Sequence, residues 1–378
     1  MRASGTSMAL VTPWGITPNP AAATAHSTWA CGICSDGFFA SCARSVRCAW
    51  HGERVWAGAN ALERAGRIWF LRCLRVTGVK EANMEYKTIL VHVDESAQAA
   101  ARIDAAARLA IEHNAHLIGT ALTNLPPRLL ALSGLDPSLP PMQAPLVELR
   151  RLADSALDAF EQRAAALGVL SVERRRLEEE IGLGMSLQAR YCDLVVIGQH
   201  NAAHPMPGIR ADFPEYVLLN SAKPVLVVPA TASQGPLLGQ RIVVGWNGSA
   251  PASRAIASAI PLMRRARQVD IVVVDARAQG DLHGAMPGAD LALYLARHGL
   301  RVNVRDIDSH ADPGRAVPGR AVPGRADPGR ALLAAAGEAG ADLIVMGAYG
   351  RSRFREVLLG GATRTVLRSS TLPLWMMH

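Results

Sequence analysis

The chain has 378 residues, of which 49% are hydrophobic, so it can form two or three domains with packed cores. No apolar run approaches the roughly 18 residues that a membrane-spanning helix needs, so we expect no membrane partner. The formal charge is +8, but residues 1–83 contribute +5 of it through nine Lys or Arg and four Asp or Glu. The +3 that remains for the other residues gives no argument for a nucleic acid partner.

The segment 1–83 differs from the rest of the chain in composition. It holds five of the six cysteines and five of the seven tryptophans, and it shows no sustained hydrophobic period. A zinc knuckle is disfavoured because only one of its cysteine pairs has CxxC spacing. We interpret the segment as a non-native or disordered extension and Met84 as the natural start, because Lys80 and Glu81 can be encoded as AAGGAG, a purine run of ribosome-binding type. Cys192 is the one thiol beyond it, which is typical of a reduced, cytoplasmic protein.

From Met84 onward, apolar runs alternate with stretches of helical period. In the first copy we predict strands at 88–93, 116–122, 170–175, 193–197 and 224–228, and helices at 96–113, 146–167 and 178–191. Ser96 is the predicted N-cap of the first helix. Five strands with intervening helices predict a doubly wound parallel sheet.

A polar linker at 231–240 is followed by a second run of the same pattern. Here we predict strands at 241–246, 269–275, 301–307 and 343–346, and helices at 250–267, 291–298 and 331–339. The segment CDLVVIGQHN aligns with ADLIVMGAYG, and KPVLVVP aligns with LPLWMMH. We therefore predict two copies of one α/β fold, at 84–230 and 241–378.

A PGRA(V/D) repeat with a period of five occupies 311–330. Its four arginines on a flexible arm could bind phosphate or RNA. We favour a tandem DNA expansion in a surface loop, because each doubling of loop length costs only about 0.6 kcal/mol and this density of Pro and Gly cannot build a packed element. The last repeat, DPGRALL, then supplies the loop and the start of the next helix.

The stretch after the strand at 343–346 has a glycine pattern that is typical of phosphate binding. Gly347 and Gly350 allow a tight loop whose backbone N–H groups can approach an anion, and Gly360 and Gly361 follow ten residues later. A loop of this kind, at the end of a parallel strand and opening a helix, is a candidate nucleotide cradle.

The pattern GxxG, nine residues, then Gly resembles the signature of the universal stress protein family, in its tandem bacterial form. VLRSSTLPLWM resembles the closing helix and strand of that family, and VVGWNGSAPASRAIASAIPLMRRA resembles its first strand and helix. The resemblance implies two tandem doubly wound parallel five-stranded sheets, flavodoxin-like or adenine nucleotide α-hydrolase-like, that pack through their closing strands. It also implies binding of ATP or AMP, with Mg only as the companion of the nucleotide, and a sensing or protective role under stress. Pairing of two chains into a homodimer stays open.

The resemblance also assigns candidate site residues in the second copy. Those for the adenine and ribose are Gly245, Trp246, Asn247 and Val274, and those for the phosphates are Met346, Gly347, Gly350, Gly360, Gly361, Ala362 and Thr363. Asn247 replaces the usual Asp and brings no charge to a ribose hydroxyl. Gly361 stands where the family usually has Ser or Thr, and Thr363 is close enough in sequence to substitute. Whether Trp246 covers the base or packs in the core stays open.

The first copy departs further from this pattern. Asp94 matches the strand-one carboxylate, but the loop reads GQHN from Gly198, and Asp212 replaces one of the later glycines. A carboxylate at that place repels phosphate, so we predict that this copy is a structural or dimerising partner without nucleotide. His92 and Cys192 are predicted to be buried core residues.

Two other functions stay open. In one, both sites are vestigial and the protein acts through interactions with partners, which the degenerate first copy and Gly361 favour. In the other, the chain is an adenine nucleotide α-hydrolase-type enzyme, but neither VHVDES nor VVGWNGS supplies the phosphate loop of those enzymes. We predict no catalytic residue and no metal site.

Overall fold

The computed structural model describes residues 86–125, 131, 143–201, 203, 209–231, 238–277, 286–308, 327–350 and 361–378. We refer to 86–231 as the first half and to 238–378 as the second half. The predictions for the N-terminal segment, for most of the PGRA(V/D) repeat and for Gly360 lie outside the described residues. Within these residues, no helix combines the length and the apolar character that crossing a lipid bilayer requires.

The first half alternates strands and helices in the order that the sequence predicts. Its elements are β1 (Thr88–His92), α1 (Ala99–His113), β2 (His116–Leu122), α2 (Gln143–Leu167), β3 (Val172–Leu177), α3 (Ile181–Ala189), β4 (Leu194–Gly198), α4 (Phe213–Asn220) and β5 (Val225–Val228). The sequence does not predict α4, because this helix has only eight residues and follows a proline-rich stretch without helical period.

The prediction of Ser96 as the N-cap of α1 is wrong. This helix begins at Ala99 after Gln98, whose side chain makes no capping bond. Ser96 instead donates its hydroxyl and its N–H to Asp94 Oδ1, at 2.5 and 3.0 Å. Asp94 lies two residues beyond the end of β1, and its carboxylate forms a local turn with Ser96 before the helix can start.

The second half repeats the pattern of the first. Its elements are β6 (Arg241–Trp246), α5 (Ala250–Met263), β7 (Gln268–Val274), α6 (Ala289–Arg297), β8 (Val302–Ile307), α7 (Pro328–Glu338), β9 (Leu343–Gly347), α8 (Gly361–Ser369) and β10 (Leu374–Met377). Asp327 lies in the last PGRA(V/D) repeat and caps α7 by accepting from Gly329 N–H at 2.9 Å. The prediction that the last repeat supplies a helix start is therefore confirmed.

The ten described strands form one sheet, in the order β3-β2-β1-β4-β5-β10-β9-β6-β7-β8. Neighbouring strands are parallel within each half. The closing strands β5 and β10 pair antiparallel, with Trp375 opposite Leu226. The predicted fold class, two doubly wound parallel five-stranded sheets, is confirmed, and the antiparallel pair joins the two into a continuous sheet.

Helices cover both faces of this sheet. Successive apolar residues of the central strands point to opposite faces, so one face packs against α1, α2, α5 and α6 and the other against α3, α4, α7 and α8. Strands β4 and β9 each have four buried residues in a row, as expected for parallel strands covered on both sides. Cys192, just before β4, is buried, and burial raises the pKa of its thiol to about 12, so its predicted place in the core is confirmed.

Side chains reinforce the seam between β5 and β10. Tyr86 donates its hydroxyl to the Ser258 carbonyl oxygen at 2.7 Å, and Trp375 donates Nε1–H to Ser258 Oγ at 3.0 Å. The rings of Tyr86 and Trp375 lie 5.3 Å apart, and Arg265 pairs with Glu112 at 2.8 Å. The Tyr86 bond and the Arg265–Glu112 pair thus link the two halves, and the Trp375 bond holds Ser258 within the second half.

Candidate functional site

Each half reverses its strand order beside its first strand. In the first half the chain runs outwards from β1 to β2 and β3 and then returns to β4 on the other side of β1, and β6 and β9 repeat this reversal in the second half. In doubly wound sheets, ligands bind outside the carboxyl ends of the strands at such a reversal. We call these places the first crevice, at the ends of β1 and β4, and the second crevice, at the ends of β6 and β9.

In the second crevice, the loop after β9 lies directly against the N-terminus of α5. A methyl group on Gly347 would overlap the backbone N and Cα of Ala252, and one on Gly350 would lie 2.5 Å from Ser249 Oγ. Only glycine fits at these two positions without a shift of the neighbouring atoms. The structure thus brings both predicted glycines to the first turn of α5, where the positive end of the helix dipole favours an anion.

Asn247 lies beside Gly350 in the same crevice. Its Oδ1 accepts from Ser249 N–H at 3.2 Å, and Ser249 Oγ accepts from Ala252 N–H at 3.3 Å as the N-cap of α5. A methyl group on Gly350 would lie 3.5 Å from Asn247 Nδ2. The side chain of Asn247 therefore stabilises the turn with its oxygen and presents its NH₂ donors next to the glycine loop.

Helix α8 brings the later residues of the glycine pattern to this loop. Thr363 is buried, and its Oγ1 accepts from Tyr349 N–H at 3.2 Å, so the hydroxyl oxygen ties the loop to α8. Gly361 is exposed at the start of α8, and a methyl group there would meet no atom of the described residues within 4 Å. Ala362 packs against α7, since a methyl group on Gly329 would lie 2.7 Å from the Ala362 carbonyl oxygen.

The strand residues of the predicted nucleotide site fall on opposite faces of the sheet. Trp246 is half-buried and packs against the apolar cluster that α5 covers, whereas Met346 and Val274 pack on the face that α7 and α8 cover. Gly245 faces α7, because a methyl group there would lie 2.9 Å from Leu332 Cδ2. The structure therefore packs the half-buried Trp246 against the apolar cluster under α5, on the opposite face of the sheet from Met346 and Val274.

The first crevice contains a buried arginine that our reading of the sequence missed. Arg102 extends from α1, is 3% exposed, and donates Nε–H to the His92 carbonyl oxygen at 2.6 Å. Its Nη2 lies 2.9 Å from Asp94 Oδ1, and a methyl group on Gly198 would lie 2.6 Å from its Nη1. The guanidinium group thus lies between the ends of β1 and β4.

The second half has alanine at the matching position of its helix. Arg102 comes eight residues after Asp94, and Ala255 comes eight residues after Asn247. Ala255 is buried in the apolar cluster between α5 and the sheet. An alignment of the two copies along these helices would have shown the difference, because an arginine replaces a small residue of a helix that is otherwise alanine-rich.

His92 and Asp94 share the first crevice with Arg102. Burial alone raises the pKa of Asp94, but the Arg102 guanidinium, His92 and two bonds from Ser96 outweigh it and hold this pKa well below its usual range. Burial lowers the pKa of His92 to about 4, so the ring is neutral at neutral pH and its predicted place in the core is confirmed. The cavity that remains has a volume of about 40 Å³, whereas ligand pockets usually have roughly 300 Å³ or more.

Asp212 lies at the edge of the first crevice and has a partner of its own. Arg210 donates to both of its carboxylate oxygens, at 2.8 and 2.7 Å, and this pairing lowers the pKa of Asp212. Its charge is therefore largely compensated. Arg102, and not Asp212, fills the crevice between β1 and β4.

The fold defines a tandem doubly wound α/β protein with one crevice at the strand reversal of each half. The model of the universal stress protein family matches the chain twice, at residues 85–229 and at residues 239–378, so this chain belongs to the universal stress protein family. No protein among those with curated descriptions matches it significantly.

Solved structures share this fold at low sequence identity. A universal stress protein from Archaeoglobus fulgidus is 18% identical with a TM-score of 0.56, and the match covers 77% of this chain and 95% of that one. A functionally unknown protein from Pseudomonas aeruginosa PAO1 is 15% identical with a TM-score of 0.50, and the match covers 79% of this chain and 94% of that one. At these identities the similarity establishes the fold alone.

Proposed function

We propose that the second half binds an adenine nucleotide, ATP or AMP, and that the first half is its structural partner without nucleotide. The protein would then act as a nucleotide-dependent sensor or protective factor in the stress response. The observation that carries this proposal is the second crevice, where the loop of Gly347 and Gly350 meets the first turn of α5 without room for a side chain.

The residues of the second crevice fit a nucleotide in their chemistry. The backbone N–H groups of a glycine loop and of a helix N-terminus suit phosphate oxygens. Asn247 supplies amide donors for a ribose hydroxyl, although it brings no charge, and no other part of the described chain lies within 4 Å of a methyl group placed on Gly361. When bound, the nucleotide supplies the negative charge that these donors recognise. Any Mg would be held by the phosphates, since the described residues contain no cluster of His, Cys, Asp and Glu fit to hold a metal.

We also propose the division into domains at 84–230 and 241–378 and the cytoplasm as the compartment. The two family matches, at 85–229 and 239–378, support the division. The free, buried thiol of Cys192 is the chemistry expected in a reducing compartment.

Nucleotide content and affinity test the proposed function. Mass spectrometry of the denatured, purified chain should find ATP or AMP, and calorimetric titration should find one saturable site. Gly350→Asp should abolish both signals, because its side chain displaces the loop from Ser249 and adds a negative charge. Gly337→Asp is the matched control, since Gly337 is exposed on α7 with open space around it, and binding should persist. If neither ATP nor AMP binds at millimolar concentration, the proposal is wrong.

One observation favours an alternative, an interaction protein with vestigial sites. The side-chain oxygens of Asn247 and Thr363 already accept bonds from within the turn and the loop. Such bonds stabilise the fold whether or not a ligand is present. The absence of bound nucleotide and of saturable binding would support this alternative, and release of pyrophosphate or adenylate from ATP would support an enzyme.

A further inference from the structure

The guanidinium group of Arg102 makes contacts of the kind that a bound ligand makes. Its Nε–H bonds to a carbonyl oxygen at the end of β1, its Nη2 faces the carboxylate of Asp94, and its Nη1 lies against Gly198 at the start of the loop after β4. The group therefore contacts both strands that border the first crevice. It is held there by a side chain that is 97% buried, since its exposed fraction is 3%.

The two crevices differ in what touches the first glycine of the loop. In the second crevice, Gly347 contacts the backbone of Ala252, so the loop lies directly on the helix. In the first crevice, the three nearest atoms to a methyl group on Gly198 all belong to the side chain of Arg102. The arginine is thus inserted between the loop and the helix at a place where the other half has main-chain contact.

A buried arginine is stable only when its charge is compensated. Asp94 supplies that charge at 2.9 Å, and Ser96 supplies two further bonds that fix the carboxylate. Removing one partner of such a pair leaves the other charge buried and uncompensated, which is strongly destabilising. The guanidinium group of Arg102 is therefore the bound cation, and the carboxylate of Asp94, fixed by Ser96, is part of the site that holds it.

We propose that the side chain of Arg102 is a built-in occupant of the first crevice. The difference between Arg102 in the first half and Ala255 at the matching position of the second half then determines which half accepts a nucleotide. The first part of the proposal rests on the contacts of Arg102 alone. The second part rests on the proposed function of the second half and extends it by naming the residue that sets its selectivity between the two crevices.

The first experiment tests occupancy without any nucleotide, on the full chain. Arg102→Ala should lower the melting temperature, and about 10 mM guanidinium chloride should restore part of the loss by binding in the vacated space. Arg102→Met is the matched control, because it also leaves Asp94 unpaired but fills the space with its own side chain, so guanidinium should not stabilise it. Sodium chloride at the same concentration controls for charge screening. Equal responses of the two variants to guanidinium would overturn the proposal.

The second experiment transfers the arginine to the other half. The double variant Asn247→Asp, Ala255→Arg reproduces the pair of the first crevice and should weaken ATP binding at least about tenfold, because its guanidinium would occupy the second crevice. Asn247→Asp alone and Ala255→Met alone separate the effects of the carboxylate and of added volume, and melting curves identify any variant that fails to fold. A folded double variant that binds ATP as tightly as the unaltered chain would overturn the selectivity part of the proposal.

The two experiments fail in different ways. If the unaltered chain binds no ATP or AMP, the proposed function is wrong and the selectivity part falls with it. The guanidinium experiment still decides whether Arg102 is an occupant of the first crevice, because its readout is thermal stability.

Discussion

The two halves of this protein share strand order, helix placement and crevice position, yet their crevices are built differently. In the second half, the glycine loop lies on the N-terminus of α5, with Ala255 in the helix behind it. In the first half, Arg102 from the matching helix position fills the space between the strand ends. One crevice of a duplicated fold can therefore hold a buried arginine whose charge a neighbouring carboxylate compensates, while the surrounding fold is kept.

The loop after β4 has also taken on a different role from the loop after β9. Gln199 donates Nε2–H to the carbonyl oxygens of Leu367 and Ser370, at 2.8 and 3.1 Å, and its Oε1 accepts from Ala230 N–H at 2.9 Å. These carbonyls lie at the C-terminal end of α8, the helix whose first turn holds Thr363. The first half thus supports the helix that ties down the loop of the second half.

The largest effect should come from the first glycine of each loop. Gly347→Ala should lower the free energy of unfolding by about 3 kcal/mol, because the added methyl group overlaps the main chain of Ala252. Gly198→Ala should cost only about 1 kcal/mol, since its methyl group meets the end of the Arg102 side chain. Urea denaturation measures both changes, and equal losses would show that the two loops pack alike.

Acid should destabilise the protein through the first crevice. The pKa of His92 is about 4 in the folded chain and about 6.5 when unfolded, so the unfolded state binds the proton first as the pH falls. The contribution of His92 is complete above pH 6.5 and is lost towards pH 4, on the order of 3 kcal/mol.

The groups facing His92 are Asp94, at 3.5 Å, and Arg102, and the ring of Phe213 lies 5.2 Å away. His92→Gln should flatten the dependence of unfolding free energy on pH across this window. Gly245 occupies the matching position of the second half. Because glycine has no titratable side chain, this position adds nothing to the pH dependence of the unfolding free energy. A variant with the same pH dependence as the unaltered chain would contradict the assignment.

A smaller effect should follow from loss of the contact between the first loop and α8. Gln199→Leu removes two donors from the end of α8 and one acceptor from Ala230, and it should cost about 1–2 kcal/mol in urea denaturation. Gln188→Leu is the control, because Gln188 makes one bond, to Arg175, within the first half. If both variants lose the same stability, the bonds of Gln199 between the halves stabilise the fold no more than the single bond of Gln188 within one half.

The smallest effect concerns the start of α8. Gly361→Ser places a hydroxyl where the family usually has Ser or Thr, and one added hydrogen bond should tighten ATP binding by at most about tenfold. The methyl of Gly361→Ala enters the same open space without a donor, so it should not tighten binding. Calorimetric titration of both variants compares them, and tightening by alanine would show that the gain comes from helix formation instead.

Element types follow from the sequence more reliably than element ends. A buried parallel strand is a continuous apolar run, so β4 and β9 can be predicted without knowledge of their neighbours. Helix α3 is predicted from 178 but begins at Ile181, because the Glu180 carboxylate accepts from the N–H groups of Gly182 and Leu183 and caps the helix there. Glutamate is a good helix former, so propensity alone extends the helix too far.

The candidate site could be predicted only where it depends on backbone. Gly347 and Gly350 stand out in the sequence, because a close approach of loop and helix admits no other residue. The packing of Trp246 could not be predicted from the sequence, because the sequence does not show which face of the sheet its side chain lies on. Assignment of Asn247, Thr363 and the remaining site residues to a nucleotide stays a prediction.

The sequence by itself determined the class of fold, the duplication and the family, because apolar runs, glycine spacing and the alignment of two copies are local properties of the chain. Tertiary structure alone decided that β5 and β10 pair antiparallel within one continuous sheet, that Gln199 reaches a carbonyl 168 residues away, and that Arg102 enters the first crevice. An arginine in an alanine-rich helix has the same local pattern whether it faces water or a carboxylate. The position of Asp94 after folding makes the difference, since only a paired charge can be buried.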